Sequence, residues 1–279
     1  MPTTRINGIE LAYTDTGVPP GRPDAATVVF GHGLLFSGWM FRPQIAVLRE
    51  QYRCVAVDFR GHGDTPATRS DYDMDTLTAD VTELIEHLDV GPVHYVGLSM
   101  GGFVGQRIAA RHGHLLRSLT LLDTSGDVED PDRVGRYKLL ALIYRLIGMA
   151  PVRNQAVSLL FGPTFRASTA SKPVIEEWAR RVGRYERAGI YRAILAVAER
   201  SSVLAELSRI TVPTLVIVGA DDEDTPPEQS RKITRSIRGA QLEVVLDCGH
   251  TSTLEQPEVI AALIQQFLTA SEIDERPLA

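Results

Sequence analysis

The sequence predicts an α/β fold: a mostly parallel, doubly wound sheet with helices on both faces and an inserted helical cap. Three observations predict it. Short apolar runs of strand length alternate with longer runs of helical period, before residue 125 and again after Pro213. The alternation breaks between residues 127 and about 200, where no convincing strand occurs. Several strand-like runs end in glycine or polar residues, where sheets of this kind carry their functional groups. The core domain is therefore drawn as residues 1–125 and 201–279, with the cap at 126–200.

Taken in order, Arg5 to Tyr13 alternates weakly around Asn7-Gly8, which predicts a β-hairpin with a tight turn. Asp15 to Ala26 is rich in Gly and Pro and reads as loop. Thr27 to Phe30 is a strand that stops at Gly31-His32-Gly33. Ser37 to Glu50 reads as a helix with Trp39, Ile45 and Leu48 as its apolar positions. Cys54 to Phe59 is a buried strand, and Arg60 to Asp64 a loop. Asp75 is the expected N-cap of a helix to about His87, along which Leu77, Val81, Leu84, Ile85 and Leu88 fall at helical spacing. Val93 to Gly102 combines a β-branched run, a sharp Gly-flanked turn and the start of a helix. Leu119 to Leu122 is a further strand, ending at Asp123.

In the cap, helices are expected at 131–148, 151–161, 172–188 and 189–200, the first opened by Asp130-Pro131. Strands return at Thr214 to Val218 and Leu242 to Leu246, with helices at Pro227 to about Ile237 and Pro257 to Leu268. The tail from about Ser271 reads as frayed.

Composition bounds the function. At 279 residues, 44% hydrophobic and 23% charged, the chain has an ordinary soluble, globular balance. A net charge of −6 lacks the basic footprint of a nucleic-acid binder. No apolar run reaches the roughly 20 residues that span a bilayer, and MPTTRINGIE has no apolar signal core. A cytoplasmic protein with no membrane partner is expected. Cys54 and Cys248 read as buried, reduced thiols. Oligomeric state is not legible. The cap carries 13 Lys and Arg against 8 Asp and Glu. Solvated helix faces explain that excess, and a basic lid favouring anionic substrates is the sharper alternative.

The chemistry concentrates at strand ends. Gly97-Leu98-Ser99-Met100-Gly101 matches G-x-S-x-G in a strand–turn–helix context, a nucleophile elbow. Side chains at Gly97 and Gly101 would collide where strand and helix pass. Ser99 is the candidate nucleophile. A serine hydroxyl needs a base to take its proton, and the base needs an acid to fix its tautomer. Past later strand ends lie Asp222 and His250, so hydroxyl, carboxylate and imidazole come in the order Ser99, Asp222, His250. The histidines lack metal-site spacing such as H-E-x-x-H, so no metal is expected. Gly61-His62-Gly63 is not a nucleotide loop, because no G-x-G-x-x-G forms.

Five segments together resemble the α/β-hydrolase superfamily over about residues 5 to 270: FGHG (30–33), DFRGHGDT (58–65), GLSMGG (97–102), GADDEDTP (219–226) and CGHTSTLEQP (248–257). Within it, the chain is similar to small cytoplasmic esterases and lactonases of the 3-oxoadipate enol-lactonase type. The resemblance implies Ser99 as nucleophile, His250 as base and Asp222 as acid. Gly219 and Pro226 stand at the family's spacing from Asp222, leaving Asp221 and Asp224 as ordinary loop carboxylates. Asp123 is an alternative acid. The implied oxyanion donors are the main-chain N–H groups of Met100 and Leu34, with His32 shaping that loop. Leu35 and Trp39, with Phe36 and Met40, are candidates for a substrate pocket or, equally, for core packing.

The implied activity is hydrolysis of a small-molecule carboxylic ester or lactone through an acyl-enzyme, without a cofactor. The same residues would serve perhydrolysis (cofactor-free haloperoxidase activity) or C–C bond hydrolysis. A non-catalytic ligand-binding protein on this fold is the reading from another class.

Overall fold

The computed structural model describes residues 1–70 and 72–274. Strands β1 (Thr3–Ile6) and β2 (Ile9–Asp15) form the expected antiparallel hairpin, with Asn7 and Gly8 both at positive φ in the turn. The sheet continues through β3 (Thr27–Gly31), β4 (Arg53–Val57), β5 (Val93–Leu98), β6 (Leu116–Leu122), β7 (Thr214–Gly219) and β8 (Gln241–Val245). Its order is β1-β2-β4-β3-β5-β6-β7-β8, parallel from β4 to β8.

Alternating residues of the central strands feed two separate cores, because successive side chains leave opposite faces of a sheet. Val28, Phe30, Val96 and Leu98 pack on one face, while Val29, Tyr95, Leu119 and Leu121 pack on the other. The first face is covered by α1 (Arg42–Leu48), α11 (Pro257–Asp274) and the inserted helices. The second is covered by α2 (Met74–Leu88), α3 (Met100–Arg111) and α9 (Pro227–Ser236). Both cysteines are buried and free. Among the described residues no helix is long and apolar enough to cross a membrane.

Between β6 and β7 lie α4 (Pro131–Ile147), α5 (Arg153–Leu160), α6 (Pro163–Ala167), α7 (Ser171–Val182) and α8 (Arg187–Ala198). Asp130 caps α4 by accepting the Asp132 N–H, as the Asp-Pro pair predicts. The five-residue α6 has no counterpart in the sequence reading, since it is too short to display a period.

Several boundaries differ from expectation. The helix predicted from Ser37 begins at Arg42, and residues 38–41 form a 3-10 turn. Pro43 suits only a first helical turn, so the helix starts just ahead of it. Asp73 rather than Asp75 caps α2, accepting the Thr76 N–H at 2.8 Å. Asp75 sits inside the first turn, where it pairs with Arg107 and Arg111 of α3. The helix after Pro257 runs to Asp274, and the rest of the tail expected to fray lies outside the described residues. The short helix α10 (Ser252–Glu255) precedes it.

In the turn after β5, strand and helix backbones pass in close contact. A Cβ on Gly97 would lie 2.4 Å from the Gly101 carbonyl oxygen, and one on Gly101 only 2.0 Å from that of Gly31. No side chain fits between these backbones.

Candidate active site

Ser99 occupies the turn between β5 and α3 with φ 51° and ψ −112°, a conformation that costs a non-glycine residue free energy. Three hydrogen bonds hold it there. The Ser99 N–H donates to Leu122 O at 2.9 Å, the Thr124 hydroxyl to Ser99 O at 2.9 Å, and the Gly101 N–H to His32 O at 3.0 Å. The strain is thus offset by residues at the ends of two neighbouring strands, β3 and β6.

The loop after β3 approaches Ser99 from one side, and two histidines build it. His32 Nδ1 bonds the Gly33 carbonyl at 2.8 Å, and its Nε2 accepts the Phe59 N–H at 2.9 Å. His62 Nδ1 bonds the Arg60 carbonyl at 3.1 Å, and its Nε2 accepts the Leu35 N–H at 3.3 Å. Each ring therefore carries its proton on Nδ1 and is neutral. Burial pushes both well down, His62 to about 4. Leu35 takes positive φ (66°) in this loop. Among the described residues no hydrogen bond engages the N–H of Leu34 or of Met100. Both remain available to a ligand oxygen.

His250 lies past β8, fully buried beside Asp222. Its Nδ1 is 2.9 Å from Asp222 Oδ2. Asp222 is itself fixed: Oδ1 accepts the N–H groups of Asp224 and Thr225, and Oδ2 accepts the Thr225 hydroxyl, each at 2.9 Å. A donor on Nδ1 leaves Nε2 as the ring's free atom. Burial pushes the imidazole down, but the carboxylates of Asp222, Asp224 and Asp123 outweigh it, and the net direction is up. The His250 loop is anchored by Glu255, whose carboxylate accepts the N–H groups of Gly249, Thr251 and Gly162.

Asp123 does not reach the ring. Its Oδ1 accepts the Gly219 N–H at 2.9 Å and its Oδ2 accepts the Ser252 hydroxyl. Burial and the nearby Asp222 push its carboxyl well above the usual range. Of the two acids weighed from the sequence, Asp222 is the one in contact with His250.

Ser99 and His250 line one cavity of about 110 Å³, enclosed between the strand ends and helices α4, α5 and α8. No hydrogen bond joins the Ser99 hydroxyl to the ring. His250 Nε2 instead faces Asp224 Oδ2 at 3.6 Å. Resting sites often hold such pairs apart until a ligand binds.

The pocket candidates divide. Leu35 and Phe36 line the cavity, whereas Trp39 and Met40 do not. Trp39 is packed in the core, 6.0 Å from the Phe36 ring and 4.9 Å beneath the Arg181 guanidinium. The 3-10 turn at 38–41 carries it away from the cavity. Asp224, taken from the sequence as an ordinary loop carboxylate, faces the ring and lines the cavity. Tyr137, Thr225 and Glu255 were not singled out from the sequence. Thr225, three residues after Asp222, and Glu255, within six of the loop it anchors, lie close in sequence to their partners, whereas Tyr137 reaches Asp224 across 87 positions of chain. Among the described residues no group of three or more His, Cys, Asp or Glu is placed to hold a metal ion.

The family model for the alpha/beta hydrolase fold matches residues 26–257, and the chain belongs to that family of enzymes. It is 28% identical over 251 residues to 3-oxoadipate enol-lactonase 2 of Acinetobacter baylyi, covering 88% of this chain and 91% of the relative. It is 32% identical over 261 residues to a non-heme chloroperoxidase of Kitasatospora aureofaciens, covering 89% and 90%. A solved thermophilic esterase from Thermogutta terrifontis, with malate bound, superposes with a TM-score of 0.86 at 30% identity, covering 96% and 97%.

Proposed function

We propose that the chain is a serine hydrolase of small carboxylic esters or lactones, with Ser99 as nucleophile, His250 as base and Asp222 as the acid that orients it. The observation that carries this is His250, bonded through Nδ1 to Asp222, in the wall of an apolar cavity that also holds the strained Ser99. The enol-lactonase relative and the esterase neighbour support the same bond class.

In this mechanism Ser99 Oγ bonds to the substrate carbonyl carbon and its proton passes to His250 Nε2. The carbonyl oxygen becomes an oxyanion and accepts the N–H groups of Met100 and Leu34. The helix dipole of α3 adds to the first donor. Collapse breaks the acyl C–O bond, and His250 returns its proton to the departing alkoxide. In a lactone that alkoxide stays tethered to the acyl chain. Water then attacks the acyl-enzyme, giving a proton to His250, and a second collapse frees the acid and Ser99. For the first step the Ser99 hydroxyl must turn to Nε2, displacing the Asp224 contact.

The cavity is smaller than the roughly 150 Å³ that accepts a benzene molecule, which favours short acyl groups. The test is a chain-length series of p-nitrophenyl esters with simple lactones beside it. Turnover of short esters that Ser99→Ala abolishes, with a fluorophosphonate probe labelling Ser99, is the expected result. Wild-type rates in Ser99→Ala would overturn it. The chloroperoxidase relative favours a second reading, in which hydrogen peroxide replaces water at the acyl-enzyme and a peracid leaves. Peracid formed faster than acid in a mixed assay would select it.

A further inference from the structure

We propose that Asp224 is a specificity-determining residue that restricts this site to acyl groups without a negative charge. The inference rests on the hydrolase reading above and names its substrate class.

Two carboxyl side chains and one guanidinium line the cavity beside His250: Glu129, Asp224 and Arg200. Glu129 and Arg200 cancel. Arg200 Nη1 lies 2.9 Å from Glu129 Oε2, both side chains are buried, and the guanidinium sits 4.4 Å above the Phe103 ring. Its Nε and Nη1 also donate to the carbonyls of Asp127 and Val197. Among the described residues it is the only Lys or Arg lining the cavity, so no uncommitted guanidinium or ammonium waits there for an anionic tail. Several other arginines of the inserted helices are engaged away from the cavity: Arg145 on the Tyr191 ring, Arg181 on Glu177 and Trp39, Arg192 on the Thr68 carbonyl. A basic lid over the site, one of the two sequence readings, is therefore absent from the cavity wall.

The third, Asp224, has no Lys or Arg within ion-pair distance of its carboxylate oxygens among the described residues, although Arg133 stands beside it. Asp224 Oδ1 accepts the Tyr137 hydroxyl at 2.7 Å, and Oδ2 faces His250 Nε2 at 3.6 Å. Arg133 of α4 bonds the main-chain oxygens of Asp224 and Glu223, at 3.0 and 2.8 Å. Two residues of one inserted helix thus hold a carboxylate beside the atom that must receive the Ser99 proton. Most of the remaining wall is apolar, including Leu34, Leu140, Val152 and Ile194. A carboxylate on the acyl group would lose its hydration there and be repelled by Asp224. At about 6 Å and an effective dielectric of 20 to 40, repulsion alone disfavours it by about tenfold or more. A lactone of a dicarboxylic acid, which keeps one free carboxylate, falls in the excluded class.

The test compares kcat/KM for p-nitrophenyl pentanoate and mono-p-nitrophenyl glutarate, which match in length and differ in one terminal charge. The proteins are wild type, Asp224→Asn, Asp224→Ser as a second neutral variant, and Ser99→Ala. Wild type is expected to favour the neutral ester by at least about tenfold, and each neutral variant to cut that ratio by about tenfold. A purely structural role would lower both rates together and leave the ratio unchanged. An unchanged ratio in a folded variant whose turnover still needs Ser99 overturns this inference alone. Wild-type turnover surviving in Ser99→Ala overturns the hydrolase reading, and this inference with it.

Discussion

His62 Nε2 accepts the Leu35 N–H at 3.3 Å, so a ring from the loop after β4 fixes the loop after β3. That bond exists only while the ring is neutral. Burial holds the folded value near 4, against about 6.5 for a free imidazole. Below about 6.5 the unfolded chain takes up a proton that the folded chain refuses, so this histidine's contribution is present above that pH and is lost as pH falls toward 4. The stability advantage of wild type over His62→Gln is expected to shrink by about 3 kcal/mol between pH 7 and pH 4. Urea unfolding at stepped pH measures it, and a constant difference would contradict the neutral-ring geometry.

At His250 the shift runs the other way, although activity too is lost as pH falls. His250 must be neutral to accept the Ser99 proton, and the carboxylates around it favour the charged ring. Asp222 and Asp224 face it from the loop after β7, Asp123 from the end of β6, and Glu255 from α10. The acidic limb of kcat/KM is therefore expected above the ordinary imidazole value of about 6.5. Asp224→Asn removes one of these charges and should move that limb to lower pH. A limb that stays in place would show that Asp224 does not act on the ring.

Asp222→Asn keeps the shape of the acid but presents the wrong partner to Nδ1. A loss of about 10⁴ in kcat is expected, with folding intact by circular dichroism. A loss below about tenfold would point to another acid, and Asp123 would be the first to examine.

Gly101→Ala places a methyl carbon into the Gly31 backbone, and two main chains cannot yield as a flexible side chain would. A destabilisation of about 1–3 kcal/mol or more is expected, together with loss of ester turnover as the turn opens. Gly135→Ala, where an added Cβ meets nothing within 4 Å, should be tolerated. Paired thermal melts and initial rates separate the two.

Away from the site, Arg60 and Asp80 form a buried ion pair with bonds of 2.6 and 2.8 Å, and Asp80 also accepts the Asn7 amide. Asp80→Ala takes the bidentate carboxylate from a buried guanidinium. It should cost about 3 kcal/mol or more in chemical denaturation. A change below about 1 kcal/mol would mean that the guanidinium stays compensated without Asp80.

What the chain declared by itself was local or ordered along its length. Strand periods, the Asp130-Pro131 helix start, the Asn7-Gly8 turn and the glycines around Ser99 are short-range consequences of backbone sterics, so they can be read from neighbours in sequence. The order of hydroxyl, carboxylate and imidazole followed from which strand ends carry them. Tertiary structure decided the rest. It selected Asp222 over Asp123 at the ring, brought Asp224 to Nε2, turned Trp39 into the core and committed Arg181 of the inserted helices to Trp39 and Glu177, outside the cavity. Those outcomes depend on side chains from distant elements competing for the same space and the same protons, and no pattern within one segment records who wins.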